Sequence, residues 1–192
     1  MIGEEDFQKV RDELSEYSES WNKLNNQCRS LIKKSKQLIY SIHRGDKGKA
    51  NMHLKDLEGE KKSLLNYAGD GRLRHSGPSR NAFQEYVEAK AYHSVIYGAR
   101  LPSMRELDCS AQEYVCGLSD LTGELMRKSI DYMLREEHVK AVELKDVVSE
   151  IYDAILSCDL PSGESRRKAD QVKYNLGKIE QAVFDAKIRD KI

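Results

Sequence analysis

Asp6–His43 reads DFQKVRDELSEYSESWNKLNNQCRSLIKKSKQLIYSIH, and its apolar residues recur in alternating steps of three and four. Phe7, Val10, Leu14, Tyr17, Trp21, Leu24, Cys28, Leu31, Leu38 and Ile42 make the stripe, with Ser35 its single polar member. Side chains at this spacing fall on one face of an α-helix and drift slowly around it, as in a heptad seam. The spacing predicts one helix from near Asp6 to near His43. A helix this long is stable only against a long partner surface, either in its own bundle or in another subunit. Gly45-Asp46-Lys47-Gly48 then supplies the break.

The rest of the chain repeats the pattern in shorter pieces. Leu54, Leu57, Leu64 and Leu65 predict a helix over 49–67, and Phe83, Val87, Ala91 and Val95 another over 79–98. Between them lies a loop rich in Gly, Ser and Pro, 68–79. Ser103-x-x-Glu106 and Ser110-x-x-Glu113 read as capping boxes, the first opening a single turn and the second a helix over 110–136. Two more helices follow over 140–157 and 164–189. No alternating strand pattern competes. The fold class is therefore all-α, one domain over 1–192 built as a bundle of about seven helices.

Composition agrees and excludes other classes. Among 192 residues only 3 are Pro and 12 are Gly, and 39% are hydrophobic at regular spacing, which is against disorder. With 33% charged residues and a mean hydropathy of −0.70, no segment is expected to span a membrane. The start is acidic, so no signal peptide is expected. Cys28, Cys109, Cys116 and Cys158 lack CxxC spacing and read as small reduced core residues, consistent with a cytoplasmic setting. His43, His53, His75, His93 and His138 show no zinc-ligand spacing and read as structural or surface groups.

Charge is balanced overall but not locally. Residues 1–22 carry 7 acidic and 2 basic side chains, 23–80 carry 5 and 14, and 81–192 carry 20 and 16. A basic segment beside acidic ones suggests a polyanion site in the first and a cation site in the second. Ordinary helix-surface charge would look the same. Within the basic segment Arg29, Lys33, Lys36 and Arg44, with Tyr40 between, lie off the apolar stripe and could follow an RNA backbone. Arg72, Arg74 and Arg80 sit in or beside the loop leading into the third helix, where they could meet phosphate.

Two acid pairs could do chemistry. Glu85 and Glu88 are three apart, and Asp120 and Glu124 four apart, so each pair projects from one helical face on adjacent turns. The third-helix acids are expected away from the Phe83/Val87/Val95 face. If the two helices pack side by side, four carboxylates converge and repel, and a divalent cation relieves that cost. All-oxygen sites select Mg²⁺ or Mn²⁺ over zinc. Acid pairs at these spacings are also common on solvated surfaces. Here Leu118, Leu121, Leu125 and Met126 around Asp120 and Glu124 suggest burial. Gly123, costly inside a helix, suggests close approach of another group. The enzymatic reading fails if the acids point apart or each is neutralised by its own guanidinium or ammonium.

Leu118-Ser119-Asp120-Leu121-Thr122-Gly123-Glu124-Leu125-Met126-Arg127 resembles the signature of the translin-associated factor X branch of the translin superfamily. Phe83-Gln84-Glu85-Tyr86-Val87-Glu88-Ala89 resembles its other acidic motif, and Lys178–Arg189 its closing helix. The resemblance covers roughly 80–190. It implies a seven-helix translin-like fold that assembles into a hollow shell, usually of eight subunits, here a homo-octamer. It implies a Mg²⁺-dependent endoribonuclease (Mn²⁺ being a substitute) acting on single-stranded or partly unpaired RNA. The family's four catalytic and metal-binding acids fall on Glu85, Glu88, Asp120 and Glu124. The alternative is a non-catalytic translin-like shell that binds RNA or DNA. The short connection around Leu101–Ser110, and the absence of a basic tract before the first helix, resemble a compact prokaryotic, archaeal member.

Overall fold

The structure, a computed structural model, describes residues 3–69 and 71–188. Seven helices account for its order: α1 (Glu4–His43), α2 (Lys47–Ala68), α3 (Gly77–Ile96), α4 (Met104–Leu107), α5 (Ala111–Leu134), α6 (His138–Leu156) and α7 (Glu164–Ile188). No strand occurs among the described residues. The helix end expected at 189 lies outside them, as do Asp70 and the first two residues. Among the described residues no helix is long and apolar enough to cross a membrane.

Local chemistry sets the boundaries. Gly45 takes φ +71°, a region only glycine enters freely, and Asp46 then caps α2 by accepting from the Lys49 amide at 3.0 Å. The helix therefore starts two residues before the expected 49. Both capping boxes form as read: Ser103 with Glu106 at α4, and Ser110 with Glu113 at α5.

The helices pack as two layers, α1–α3 and α5–α7, joined along α3 and α5. In the first layer Leu24, Leu31, Leu38 and Ile42 meet Leu57, Leu64, Phe83 and Val87, all fully or nearly fully buried. In the second, Leu121, Leu125, Val148, Ile151, Val172 and Ile179 do the same. Each such side chain contributes roughly 1.5–3 kcal/mol on leaving water.

One expectation is narrowed and one needs correction. The apolar stripe of α1 is covered only in its second half: Phe7, Val10, Leu14 and Tyr17 stay 46% to 62% exposed. The chain's own bundle is shorter than the helix. Helix α3 was expected to have one apolar face, yet it is enclosed between α1 and α5, so Glu88 and Tyr92 are buried along with Phe83 and Val87. An enclosed helix has no back on which to leave its acids.

Candidate functional site

Helix α3 opens at Ser76, whose hydroxyl accepts from the Ser79 amide, with Pro78 in its first turn. Helix α5 opens at the Ser110–Glu113 box. The two helices come nearly backbone to backbone at Gly117, where an added Cβ would lie 2.6 Å from the Val87 Cβ and 2.8 Å from the Gln84 carbonyl. Gln84 and Val87 flank Glu85 and Glu88, and Asp120 lies one turn beyond Gly117. The contact therefore brings both acid pairs to one seam. Gly123, expected to mark the close approach, would meet Asn175 Nδ2 only at 3.7 Å, an ordinary contact.

Beside the seam lies a cleft of about 610 Å³, walled by Glu85 and Glu88 of α3, Ser119 and Asp120 of α5, and Glu164, Arg167, Lys168, Gln171 and Asn175 of α7. Glu124 lies outside this lining, where α5 meets the end of α1.

The four acids differ in their neighbours. Glu85 has Lys36 Nζ of α1 at 3.6 Å. Burial raises its carboxyl above the usual range, opposed by Lys36 and reinforced by Asp120. Asp120 accepts from Lys168 Nζ at 2.5 Å, and the same ammonium donates to Gln84 Oε1 at 2.9 Å. Burial still raises the Asp120 carboxyl in spite of Lys168. Lys168 itself is held above its usual value, Asp120 outweighing the burial that works against it. Glu124 accepts from His43 Nε2 and lies 4.0 Å from Arg127. Glu88 is 9% exposed and, among the described residues, makes no hydrogen bond or ion pair. Burial, then the charges of Asp120, Glu85 and Glu124, push it up to about 9.

Thus the acids point together enough to feel one another, and three of the four are ion-paired, while Glu88 feels Lys168 only at longer range. In this arrangement no three His, Cys, Asp or Glu side chains among the described residues gather closely enough to hold a metal ion. By chemistry the donor set fits a hard dication: every donor is a carboxylate oxygen, and Glu88 is buried without an ion pair among the described residues.

The expected nucleic-acid residues divide. Arg29 and Lys33 are exposed along α1, and Lys36 ends their row at Glu85. Tyr40 is 59% exposed and carries the Arg44 guanidinium over its ring at 5.2 Å. Arg80 is exposed in the first turns of α3. Arg72 is exposed but lines a separate groove against Val10, Leu14 and Tyr17 of α1. Arg74 is a correction. It is 8% exposed, its two terminal nitrogens donate to the Glu113 carboxylate at 2.6 and 2.8 Å, and it stacks on Phe83 at 3.7 Å. Its role is to tie the loop before α3 to the start of α5, not to meet phosphate. Glu113 is held below the usual carboxylate range: burial opposes this, and the Arg74 and Ser110 bonds win.

Sequence reasoning missed His43, Lys168 and Gly117. His43 had one available signal, since it lies seven residues after Lys36 and so on the same face of α1. Lys168 had none, being one of many lysines on α7. Cys28 and Cys109 are pushed up to about 11 and about 12 by burial and so are inert thiols, whereas Cys158 is exposed and not the core residue expected.

Comparison with known proteins places this geometry. The family model described as Translin family matches residues 19–190. Translin-associated protein X of Rattus norvegicus is 23% identical over 225 residues, covering 95% of this chain and 78% of the relative. An uncharacterised protein of Methanocaldococcus jannaschii is 26% identical over 152 residues, covering 78% of this chain, which spans 63% of that relative's length. Among solved structures, apo-NeC3PO superposes with a TM-score of 0.85 at 26% identity over 96% of this chain and 97% of the other. The AfC3PO–duplex RNA complex superposes at 0.84 and 22% identity over the same shares, a likeness of fold.

Proposed function

The chain belongs to the Translin family, and from that premise we propose that it is a Mg²⁺-dependent endoribonuclease, Mn²⁺ being able to substitute, acting inside a hollow assembly of its own copies in the cytoplasm. One observation carries the reading. Glu85, Glu88 and Asp120 face a single open cleft, and the buried Glu88 carboxyl is ion-paired to no cation among the described residues. A buried cluster of acids with an entrance is suited to a hard dication, which would take the place of the proton that burial keeps on Glu88. Glu85, Glu88, Asp120 and Glu124 would hold it, displacing Lys36 and Lys168 from their carboxylates. When bound, such an ion polarises a phosphoryl oxygen and lowers the pKa of a water. Lys168 and Arg167 line the same cleft and bring positive charge toward a phosphodiester.

RNA is the proposed substrate, single-stranded or with unpaired stretches, guided by the exposed Arg29–Lys33–Lys36 row and the Arg44-capped Tyr40 ring. The AfC3PO relative was solved with duplex RNA. Self-association, proposed as a homo-octamer, is supported by the uncovered apolar half of α1.

A second reading has one observation in its favour. Three of the four acids are ion-paired within the chain, an arrangement suited to a nucleic-acid-binding shell that does not cut. Fluorogenic RNA incubated with Mg²⁺, Mn²⁺ or EDTA separates the two. The nuclease reading expects products with either metal, none in EDTA, and none from Asp120→Asn or Glu88→Gln proteins that assemble normally by size exclusion. Cleavage retained in clean preparations of both variants overturns the assignment. Salt-dependent RNA retention with no product under any metal establishes the second reading.

A further inference from the structure

Tyr92, His43 and Glu124 form a hydrogen-bonded line across three helices. The Tyr92 hydroxyl of α3 is 3.2 Å from His43 Nδ1 at the end of α1, and His43 Nε2 bonds Glu124 Oε2 of α5. The phenol and imidazole rings lie 5.1 Å apart, tilted by 39°. Tyr92 is fully buried, and the last turn of α1 is anchored by Leu38 and Ile42, at 0% and 1% exposure. Tyr92 and His43 are therefore both held by packing.

The direction of the line follows from its members. Burial and the nearby Glu124 charge hold Tyr92 above its ordinary value, so the phenol keeps its proton and donates to Nδ1. An imidazole that accepts at Nδ1 carries its proton on Nε2 and donates to the carboxylate. Among the described residues Glu124 accepts no other hydrogen bond, and Arg127, its other ion-pair partner, is 4.0 Å away with a 69% exposed side chain. Without His43 only that exposed guanidinium would hold the Glu124 carboxylate.

We propose that His43 is a positioning residue that holds the Glu124 carboxylate for cation binding, with Tyr92 fixing the imidazole tautomer. The proposal rests on the metal reading above. It adds α1 to a site whose acids come from α3 and α5. Groups that orient carboxylate and histidine ligands from behind commonly govern 10–100-fold in metal affinity.

The test measures Mn²⁺ binding by electron paramagnetic resonance on the assembled protein, beside ¹⁵N NMR of the His43 ring without metal. His43→Ala is expected to weaken Mn²⁺ binding about 10-fold or more. His43→Gln, whose amide nitrogen reaches where Nε2 stands, restores most of it. His43→Asn, which can meet Tyr92 and falls short of Glu124, behaves as the alanine variant does. The NMR pattern expected is a protonated Nε2 and a bare Nδ1, with that bias lost in Tyr92→Phe. A His43→Ala or His43→Asn protein that binds Mn²⁺ as tightly as the wild type overturns the inference alone, as does a proton found on Nδ1. A wild type that binds no Mn²⁺ overturns the metal reading and this inference with it.

Discussion

Gly117 of α5 faces Val87 of α3 so closely that the Cβ it lacks would stand 2.6 Å from the valine Cβ. The alignment of Glu85 and Glu88 with Asp120 and Glu124 depends on this one absent methyl. Gly117→Ala is expected to destabilise by roughly 1–3 kcal/mol, overpacking outweighing the ~1 kcal/mol gain in helix propensity. Gly123→Ala, with only an ordinary 3.7 Å contact, is expected to be neutral or up to about 1 kcal/mol more stable. Urea unfolding of the two variants checks both, and equal losses would show that the close approach does not govern the seam.

Arg74 and Glu113 make a buried two-point pair, with side-chain exposures of 10% and 1%. Breaking it by Arg74→Met leaves a buried charge and is expected to cost about 3–5 kcal/mol. Glu113 lies below its ordinary value near 4.5 when folded. The stability it supplies is thus complete above pH 4.5 and is lost as pH falls through the lower folded value. Thermal melts between pH 3 and 7 should show an acid loss in the wild type that is reduced in Glu113→Gln, measured from that variant's own lower baseline.

Glu88 behaves in the opposite sense. Its folded value near 9 stands above the ordinary 4.5, so the folded state holds the extra proton. Stability is complete below pH 4.5 and is lost as pH rises toward 9. In EDTA-treated protein, Glu88→Gln should remove this slope and exceed the wild type at pH 8 by several kcal/mol, up to about 5 kcal/mol. A wild type whose metal-free stability is flat from pH 5 to 8 contradicts the burial of an unpaired carboxyl there.

Arg29 and Lys33 are exposed and carry no ion pair among the described residues, so their charge is available to phosphate. Arg29→Ala and Lys33→Ala should each lower the slope of log affinity against log salt by about 0.7 to 0.9, for any RNA sequence. Arg74→Met, assayed well below its melting temperature, should leave the slope unchanged. Fluorescence anisotropy across a salt series distinguishes the two classes of arginine.

The helices were legible because each is specified by neighbours three and four residues away. The α1 stripe, the two capping boxes and the acid pairs are all local patterns, and all appear in the fold as helices, caps and paired carboxylates. The register between helices was not legible in the same way. Glu124 meets His43 across 81 residues and Asp120 meets Lys168 across 48. Nothing in a helical period distinguishes those partners from solvated ones. Arg74 shows the same limit: beside glycines and serines it reads as a loop cation, and only the packing of α5 against that loop makes it a buried clamp.

By itself, then, the amino-acid order determined seven helices, their caps and which acids share a face, because helix formation and capping act within a few residues. Tertiary packing alone decided that α3 is enclosed, that Gly117 brings α3 against α5, and that Lys36, His43 and Lys168 take up three of the four carboxylates. Those outcomes depend on burial and charge summed over distant segments, a quantity no local stretch contains.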